Sequence, residues 1–463
     1  MERKNAWAAY AGDDGRVEAF AKAYCDFINN GKTERECVAY GEKLAKAHGF
    51  EDLNAVVRSG RKLEAGARVY ANWMGKSFML FVLGEKPLEE GMNILGAHID
   101  SPRIDVKQNP LYEDTDLAYL DTHYYGGIKK YQWVAIPLAL HGVIVRKTGE
   151  KVIINIGEDE NDPVFCISDL LVHLAQEQMT KNAKEVVEGE ALNLIVGGRP
   201  LEGEEKDAVK ANVLKLLADT YQIAEEDFAS AELEIVPAGK SRDCGLDRSM
   251  ILGYGQDDSV CAYTSLAAML DVNDPEYTSC CLLVDKEEIG SVGASGMHSL
   301  FFENLVAELV ALTTGAESDL KVRRALANSR MLSSDVSAGF DPLYPEVFEK
   351  RSSAFFGKGL VFNKFTGSRG KSGSNDANPE FMASLRKIMD DAGVAFQTAE
   401  LGRVDLGGGG TIAYLCAKYG MNVIDSGIPV LSMHAPYEVI SKVDLYEGYR
   451  GYCAFLQGAK PVE

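Results

Sequence analysis

The stretch NILGAHIDSPR, from Asn93 to Arg103, decides the fold class of this chain of 463 residues. Its apolar first half predicts a buried strand, and His98 follows where that strand ends. Ligands in α/β folds bind outside the carboxyl ends of the strands, so a histidine in this place is a candidate metal ligand. Asp100 lies two residues further on the same side of an extended chain, where its carboxylate could orient the imidazole.

Helix and strand patterns alternate on both sides of this stretch. Residues 17–28 have apolar positions at helical spacing, and two strand-like runs follow within residues 69–99. After Met250, strand-like runs at residues 279–284 and 330–334 alternate with helical segments. Such alternation predicts an α/β fold built on a mostly parallel, helix-covered sheet.

The middle of the chain has a different character. Between residues 106 and 243, hairpin-like runs such as VIVRKTGEKVIINIG predominate, with helical stretches around Leu170 and Val209. A chain of this length also favours more than one domain. The sequence therefore predicts one domain formed by residues 1–105 and 244–463, which carries the candidate site, and an inserted β-rich domain at residues 106–243.

Composition limits the partners and the compartment. The net charge of −21 argues against a nucleic acid partner, whose phosphates would be repelled, and favours a cation, although acidity could serve solubility alone. Nine cysteines without a repeated CxxC pattern favour reduced thiols. The start MERKNAWAAY has no secretory apolar core, and no stretch approaches a membrane span. We therefore expect a cytoplasmic protein with no membrane partner.

Four further segments repeat the pattern of an apolar run followed by an acidic residue or histidine and then by Gly, Ser or Pro. They are GYGQDDSVCAY with Asp257 and Asp258, LLVDKEEIGSVGASG with Glu287 and Glu288, MLSSDVSAGFDP with Asp335, and PVLSMHAPYE with His434. Imidazole and carboxylate ligands without thiolate suit hard and borderline divalent ions. The number of candidates suits a pair of ions bridged by one aspartate, with a water between them.

The adjacent residues Glu287 and Glu288 can divide two roles. Neighbouring side chains point apart, so one carboxylate can bind metal while the other faces the water as general base. We expect Glu288 to be the ligand and Glu287 the base. Each candidate also has a simpler interpretation, since a histidine at a strand end is commonly structural and DDSV before a helix could be an N-cap.

Taken together, GAHIDSPRIDVKQNPLYED, GQDDSVCAYTSL, DKEEIGSVGASGM, SSDVSAGFDP and SMHAPYEV resemble, in order and spacing, the aspartyl-aminopeptidase family of dinuclear zinc aminopeptidases. The similarity extends from about Asn5 to the C-terminus. It implies a zinc aminopeptidase/phosphorylase-like α/β fold. It also implies a hydrolase that removes N-terminal residues from peptides with a free N-terminus.

Carried over to this chain, the resemblance implies two zinc ions in each subunit. His98 and Asp335 would bind one ion, Glu288 and His434 would bind the other, and Asp257 would bridge them. Cobalt or manganese could replace zinc, because nitrogen and oxygen ligands accept all three metals.

The resemblance also implies roles for residues beside the ions. The family pattern favours the first aspartate of the pair as the bridge, often through a cis peptide to the next residue, but Asp258 remains the alternative. Asp100 would orient His98, and Glu287 would be the catalytic base.

An inserted domain serves assembly in this family, into dimers and tetrahedral dodecamers that enclose the active sites. Residues 106–243 would therefore be the assembly domain of a homo-oligomer. CISDLLVHLAQEQ resembles the place where that domain sends a histidine into a neighbouring subunit's active site. His173 would then help to hold the oxyanion of the tetrahedral intermediate, and the alternative is a histidine on a helix surface.

The motifs leave the preferred N-terminal residue open. Family members that prefer acidic N-terminal residues use a lysine near the position of NKFTGSRGKSGSNDA. Lys364, Arg369 and Lys371 lie there and could pair with an acidic side chain. Other relatives accept neutral or basic residues, and these charges could belong to a solvated loop.

Two other functions stay open at this point. A dinuclear metal deacylase or amidohydrolase would use the same chemistry without requiring a free amine, so an N-acetylated peptide would distinguish it. A non-catalytic assembly protein on the same fold would be expected to have lost a ligand or the base. Every candidate residue is present in the sequence.

Overall fold

The computed structural model of this chain describes residues 4–367 and 370–462. These described residues form ten α-helices, namely α1 (Gly15–Asn30), α2 (Glu34–Ala47), α3 (Leu53–Ser59), α4 (Ala208–Tyr221), α5 (Gln256–Leu270), α6 (Phe301–Thr314), α7 (Asp319–Ala327), α8 (Pro379–Asp391), α9 (Ala413–Ala417) and α10 (Lys442–Gly458).

The same part of the chain forms twenty β-strands. They are β1 (Glu51–Asp52), β2 (Arg68–Trp73), β3 (Ser77–Val82), β4 (Met92–His98), β5 (Arg103–Asp114), β6 (Leu117–Tyr125), β7 (Leu138–Val145), β8 (Lys151–Ile156), β9 (Leu194–Gly197), β10 (Ala231–Pro237), β11 (Arg242–Cys244), β12 (Met250–Gly253), β13 (Thr278–Val284), β14 (Arg330–Ser334), β15 (Ser337–Ala338), β16 (Leu360–Asn363), β17 (Phe396–Ala399), β18 (Asn422–Gly427), β19 (Pro429–Leu431) and β20 (Glu438–Ser441).

A nine-stranded sheet has the order β1-β2-β3-β13-β4-β14-β18-β16-β17. Among these described strands, β13, β4, β14 and β18 form a central run in which every neighbouring pair is parallel. The strands β3 and β16 flank that run in the antiparallel direction. The prediction of a mostly parallel sheet is confirmed.

The central strands are almost entirely buried because helices cover both faces of this sheet. Leu95 and Ile424 belong to one hydrophobic core, which also contains residues of α1, α2, α5, α8 and α10. Ile94 and Val423 belong to a second core with residues of α3, α6, α7 and α9. Each buried aliphatic side chain contributes about 1.5–3 kcal/mol, so β4 is held firmly up to its last residue.

The chain divides into two compact units. The larger consists of residues 4–100, 241–367, 370–433 and 438–462, and it contains the nine-stranded sheet and a five-stranded sheet in the order β11-β12-β20-β19-β15. The smaller consists of residues 101–240 and 434–437, with an antiparallel six-stranded sheet in the order β8-β7-β10-β5-β6-β9. The chain therefore leaves the larger unit directly after Asp100.

Of the two helices predicted in the smaller unit, one is observed. The helix predicted around Val209 is α4, whereas the described segment around Leu170 forms turns, followed by the short 3-10 helix Gln178–Thr180. The prediction of a helix around Leu170 is therefore wrong. Leu171 and Leu174 are exposed there, so apolar packing does not stabilise a helix.

None of the helices in residues 4–367 and 370–462 is long and apolar enough to cross a membrane. None of the nine cysteines, all of which lie in the described residues, forms a disulfide, and five of them are buried.

Candidate metal centre

Neighbouring parallel strands deliver candidate residues to one edge of the nine-stranded sheet. His98 is the last residue of β4 and pairs with Val284, the last residue of β13. Asp335 directly follows β14, and its backbone N–H donates to the carbonyl oxygen of Ser426 at 3.1 Å. Because these strands are parallel, their carboxyl ends meet at this edge, where α/β folds bind ligands.

Two acidic pairs complete the set. Glu287 and Glu288 begin a short 3-10 helix three residues beyond the end of β13. Asp257 and Asp258 lie at the start of α5, where both have non-helical backbone angles and the peptide bond between them is cis. The regular part of α5 therefore begins only after Asp258.

The structure brings five predicted residues into one cluster. Ligand atoms of His98, Asp257 and Glu288 lie within 4.8 Å of one another, and so do ligand atoms of His98, Asp258 and Asp335. The Nε2 atom of His98 is 3.2 Å from Oδ1 of Asp257. Since His98 belongs to both sets, the two sets adjoin.

Asp257 and Asp258 differ in what their carboxylates contact. Oδ2 of Asp258 accepts the backbone N–H of His98 at 3.3 Å, and its Oδ1 is buried without a hydrogen-bond partner among the described residues. Asp257 instead directs Oδ1 toward the imidazole of His98. One aspartate thus supports β4, and the other faces the ring that would bind metal.

Asp100 connects the histidine to the glutamate pair. Its Oδ1 and Oδ2 accept the backbone N–H groups of Glu287 and Glu288 at 3.1 and 3.2 Å. The Nδ1 atom of His98 lies 2.9 Å from the carbonyl oxygen of Asp100 and 3.5 Å from its Oδ1. Asp100 therefore contacts both the ring of His98 and the turn that carries the two glutamates, and its role in orienting His98 stays a prediction.

The cluster concentrates negative charge in a place where His98, Asp257 and Asp258 are buried and Asp335 and Glu288 are half-buried. Burial raises the pKa of Asp258 well above its ordinary value, and the charge of Asp257 raises it further. Desolvation likewise raises the pKa of Asp335, with a further increase from Asp258. Burial would lower the pKa of His98, but hydrogen bonds with Asp100 and Asp257 raise it well above its ordinary value.

These residues fit a divalent cation. The two sets offer an imidazole nitrogen and carboxylate oxygens, and neither set includes a cysteine. Desolvated carboxylates that repel one another need a positive charge to remain ionised. The same donor atoms suit zinc and also accept cobalt or manganese.

Two predicted histidines belong to the smaller unit. His434 has a φ of 65°, and its Nδ1 lies 2.9 Å from the carbonyl oxygen of Gly127. Such a bond at Nδ1 is the arrangement in which a histidine binds metal through Nε2. His173 is exposed in the turns around Leu171. The functional roles of both histidines stay predictions.

Two of the basic residues predicted to bind an acidic substrate side chain, Lys364 and Lys371, lie at the edge of the nine-stranded sheet opposite to the ligand cluster. Since β16 is antiparallel to β18, the loop after β16 runs beside the start of β18, where Asn375 donates to the backbone at 2.6 Å. Lys364 and Lys371 both form ion pairs with Asp376 in this loop. Arg369 lies outside the described residues.

One residue that contacts the ligand cluster was not predicted from the sequence. Glu438 is buried at the start of β20, and its Oε2 accepts the backbone N–H of Asp257 at 3.0 Å. Its place in the segment SMHAPYEV, four residues after His434, is the signal that could have identified it.

The fold and the cluster together define a metal-dependent hydrolase of the α/β class. Residues 27–456 match the family model of the M18 aminopeptidase I zinc metalloproteases. The chain belongs to this family, and the predictions of an aminopeptidase and of a zinc metalloprotease are confirmed.

Individual relatives agree with this assignment. The chain is 60% identical over 459 residues to the probable M18 family aminopeptidase 1 of Clostridium acetobutylicum, covering 98% of each. A crystal structure of an M18 aminopeptidase from Thermotoga maritima has a TM-score of 0.95 at 43% identity, covering 99% of this chain and 100% of that one. A structure of the S. cerevisiae mApe1 dodecamer is similar in fold, with a TM-score of 0.75 at 21% identity over 94% of this chain and 95% of that one.

Zinc binding to the metal-free protein should release protons. The pKa values of Asp258, Asp335 and His98 are all raised well above their ordinary values, so each group keeps its proton to a higher pH than usual and a cation must displace it. Zinc affinity should therefore rise as the pH rises through the range above the ordinary pKa values of these groups. Calorimetric titrations in two buffers of different ionisation enthalpy measure the release, and an affinity independent of pH would contradict the charge balance described here.

Proposed function

We propose that this chain removes the N-terminal residue of peptides with a pair of divalent ions, which we take to be zinc. His98 and Asp335 would hold one ion, Glu288 and His434 would hold the other, and Asp257 would bridge them. The observation that carries the proposal is the pair of adjoining ligand sets, in one of which Asp257 is grouped with both His98 and Glu288. A dinuclear site with a bridging carboxylate requires such a residue between a ligand of one ion and a ligand of the other.

Asp257 is our choice for the bridge over Asp258. The carboxylate of Asp257 is grouped with both His98 and Glu288, which belong to different ions in the proposal. Asp258 already uses Oδ2 to accept the backbone N–H of His98. Its more consistent role is to hold β4 in position beside the first ion.

Glu287 is the proposed general base. When bound, the two ions would polarise the substrate carbonyl and lower the pKa of a nearby water molecule. Glu287 is half-buried, its backbone is held by Asp100, and its charge contributes to the raised pKa of Asp335. Its carboxylate would take a proton from the attacking water and pass it to the leaving amine as the peptide bond breaks.

A Glu287→Gln variant should retain metal and lose most turnover. Glutamine keeps the size of the side chain but cannot accept the proton, so kcat should fall by about 10²–10⁴-fold. His434→Ala should lower zinc content as well as activity, because it would remove a ligand. Both are measured by steady-state kinetics and by metal analysis of the purified proteins. Near-full activity of Glu287→Gln would reject the base assignment, and full zinc content in His434→Ala would reject that ligand.

We also propose that neutral N-terminal residues are preferred over acidic ones. Lys364 and Lys371 are already paired with Asp376, at the edge of the sheet opposite to Asp335. The negative charge around the centre would in addition repel an acidic substrate side chain.

A panel of aminoacyl substrates with free amines should therefore give faster cleavage of Leu and Met than of Asp and Glu, by about tenfold or more in kcat/KM. Lys364→Ala and Lys371→Ala should leave the ratio unchanged, since these lysines would not contact the substrate. The N-acetylated peptides serve as the control and should not be cleaved. A preference for Asp that either lysine variant abolishes would refute this proposal.

The smaller unit is proposed to mediate assembly into a homo-oligomer, with dimers building a tetrahedral dodecamer. Its segment around His173 exposes Leu171, Val172 and Leu174 at 58%, 68% and 70% of their surfaces. Consecutive exposed apolar residues of this kind are typical of an interface. A histidine among them could enter the active site of a neighbouring subunit and hold the oxyanion there.

Replacing both Leu171 and Leu174 by Glu should lower the mass measured by analytical ultracentrifugation, because charge would have to be buried on assembly. Turnover should fall with assembly, whereas zinc content should not. Leu320→Glu is the matched control, since Leu320 is exposed at 57% in α7 of the larger unit. An unchanged mass in the double variant would exclude this segment from the interface.

The cytoplasm is the proposed location of the enzyme. Nine cysteines that form no disulfide with one another suit a compartment that keeps thiols reduced.

A further inference from the structure

Glu438 accepts hydrogen bonds from two consecutive residues at the start of α5, Gln256 and Asp257. Its Oε2 accepts the backbone N–H of Asp257 at 3.0 Å. Its carbonyl oxygen accepts the side-chain N–H of Gln256 at 2.6 Å, and the same amide group donates to the carbonyl oxygen of Ile251 at 3.2 Å. The start of α5 is therefore tied to β20 and to β12.

The strand that carries Glu438 is itself well supported. β20 pairs with β12 on one side, where Glu438 is opposite Gly253, and with β19 on the other. Only two residues separate Gly253 from Gln256. The end of β12 and the start of α5 therefore both contact β20 at Glu438. Glu438 is buried in this arrangement, which keeps water from competing for the bond to Asp257.

Asp257 depends on such an external partner for its orientation. Its φ and ψ of −82° and 104° are not helical, and the first N–H groups of a helix have no acceptor within the helix itself. A rotation of the backbone at Asp257 would move its Oδ1 away from Nε2 of His98, which now lies 3.2 Å from it. The bond from Glu438 therefore acts at the residue whose carboxylate must stay between the ligand sets.

We propose that Glu438 is a positioning residue of the metal centre, which holds the backbone of Asp257 so that its carboxylate can bridge the two ions. Glu438 acts through Asp257 and need not touch an ion. A carboxylate suits this task because it only accepts hydrogen bonds, and a charged acceptor binds an N–H more strongly than a neutral one. The inference rests on the proposed function, since it assumes that Asp257 is the bridge.

A purely structural role is the competing explanation, and the chain offers a matched comparison. Asp444 is also a buried carboxylate in the larger unit, and it accepts the backbone N–H groups of Gly357 and Gly359 at 2.7 and 2.6 Å. Asp444 lies in the first turn of α10, and neither it nor the two glycines belongs to a ligand set. Loss of Asp444 should therefore weaken the fold without changing the metal centre.

The test compares Glu438→Ala, Glu438→Gln and Asp444→Ala as full-length proteins. Zinc dissociation constants are measured on metal-free protein by competition with a chelating dye, and melting temperatures are measured without metal. Both alanine variants should melt at lower temperature, but only Glu438→Ala should bind zinc about 10–100-fold more weakly. Glu438→Gln keeps an acceptor oxygen and should recover much of the zinc affinity.

Glu438→Met keeps the volume of the side chain and replaces the alanine variant if that one does not fold. Equal zinc affinities of the Glu438→Ala (or Met) and Asp444→Ala variants would overturn the proposal, and so would a Gln variant as weak as the Ala variant. The dinuclear centre itself is tested separately by the wild-type protein, which should bind two zinc ions. Failure there would refute the proposed function, whereas a failure confined to the Glu438 variants would refute only the positioning role.

Discussion

Repulsion among buried carboxylates is the constraint on which the rest of the larger unit depends. Asp257, Asp258, Asp335 and Glu288 surround one imidazole, and burial makes each additional negative charge more costly. Without a cation, such groups take up protons or admit water. The two hydrophobic cores on either face of the nine-stranded sheet resist that opening, because they hold the strands up to their last residues. Metal binding and the integrity of this edge are therefore linked.

Carboxylates also order the backbone around the cluster. Three of them accept N–H groups from another motif, in the pairs Asp258 with His98, Glu438 with Asp257, and Asp100 with Glu287 and Glu288. Segments that are far apart in the sequence are joined in this way by bonds from side chains to the backbone. The negative charge that attracts a cation thus also supplies the acceptors that keep the loops rigid.

Sequence patterns identified the strands and the residues at their ends, because a strand buried on both faces has an apolar run, such as Ile94 and Leu95 before His98 or Met331 and Leu332 before Asp335. The direction of a strand within a sheet leaves no such pattern in the sequence. The antiparallel direction of β16, which places Lys364 at the edge opposite to the ligand cluster, could therefore not be predicted. Around Leu170 the apolar residues predicted a helix, but they are exposed and the described segment forms turns instead. Glu438 was missed because its contact is with a backbone N–H group, which any residue in that place would present.

Asp100 borders the imidazole of His98 and accepts the N–H groups of both Glu287 and Glu288. Loss of this one side chain would disturb the proposed base and a proposed ligand of each ion together. A mutational scan scored by activity would accordingly rank Asp100 with the metal ligands, and a ligand count based on such intolerance would be too high. In this enzyme, sensitivity to substitution reports how many neighbours a residue holds in place as much as whether it touches the metal.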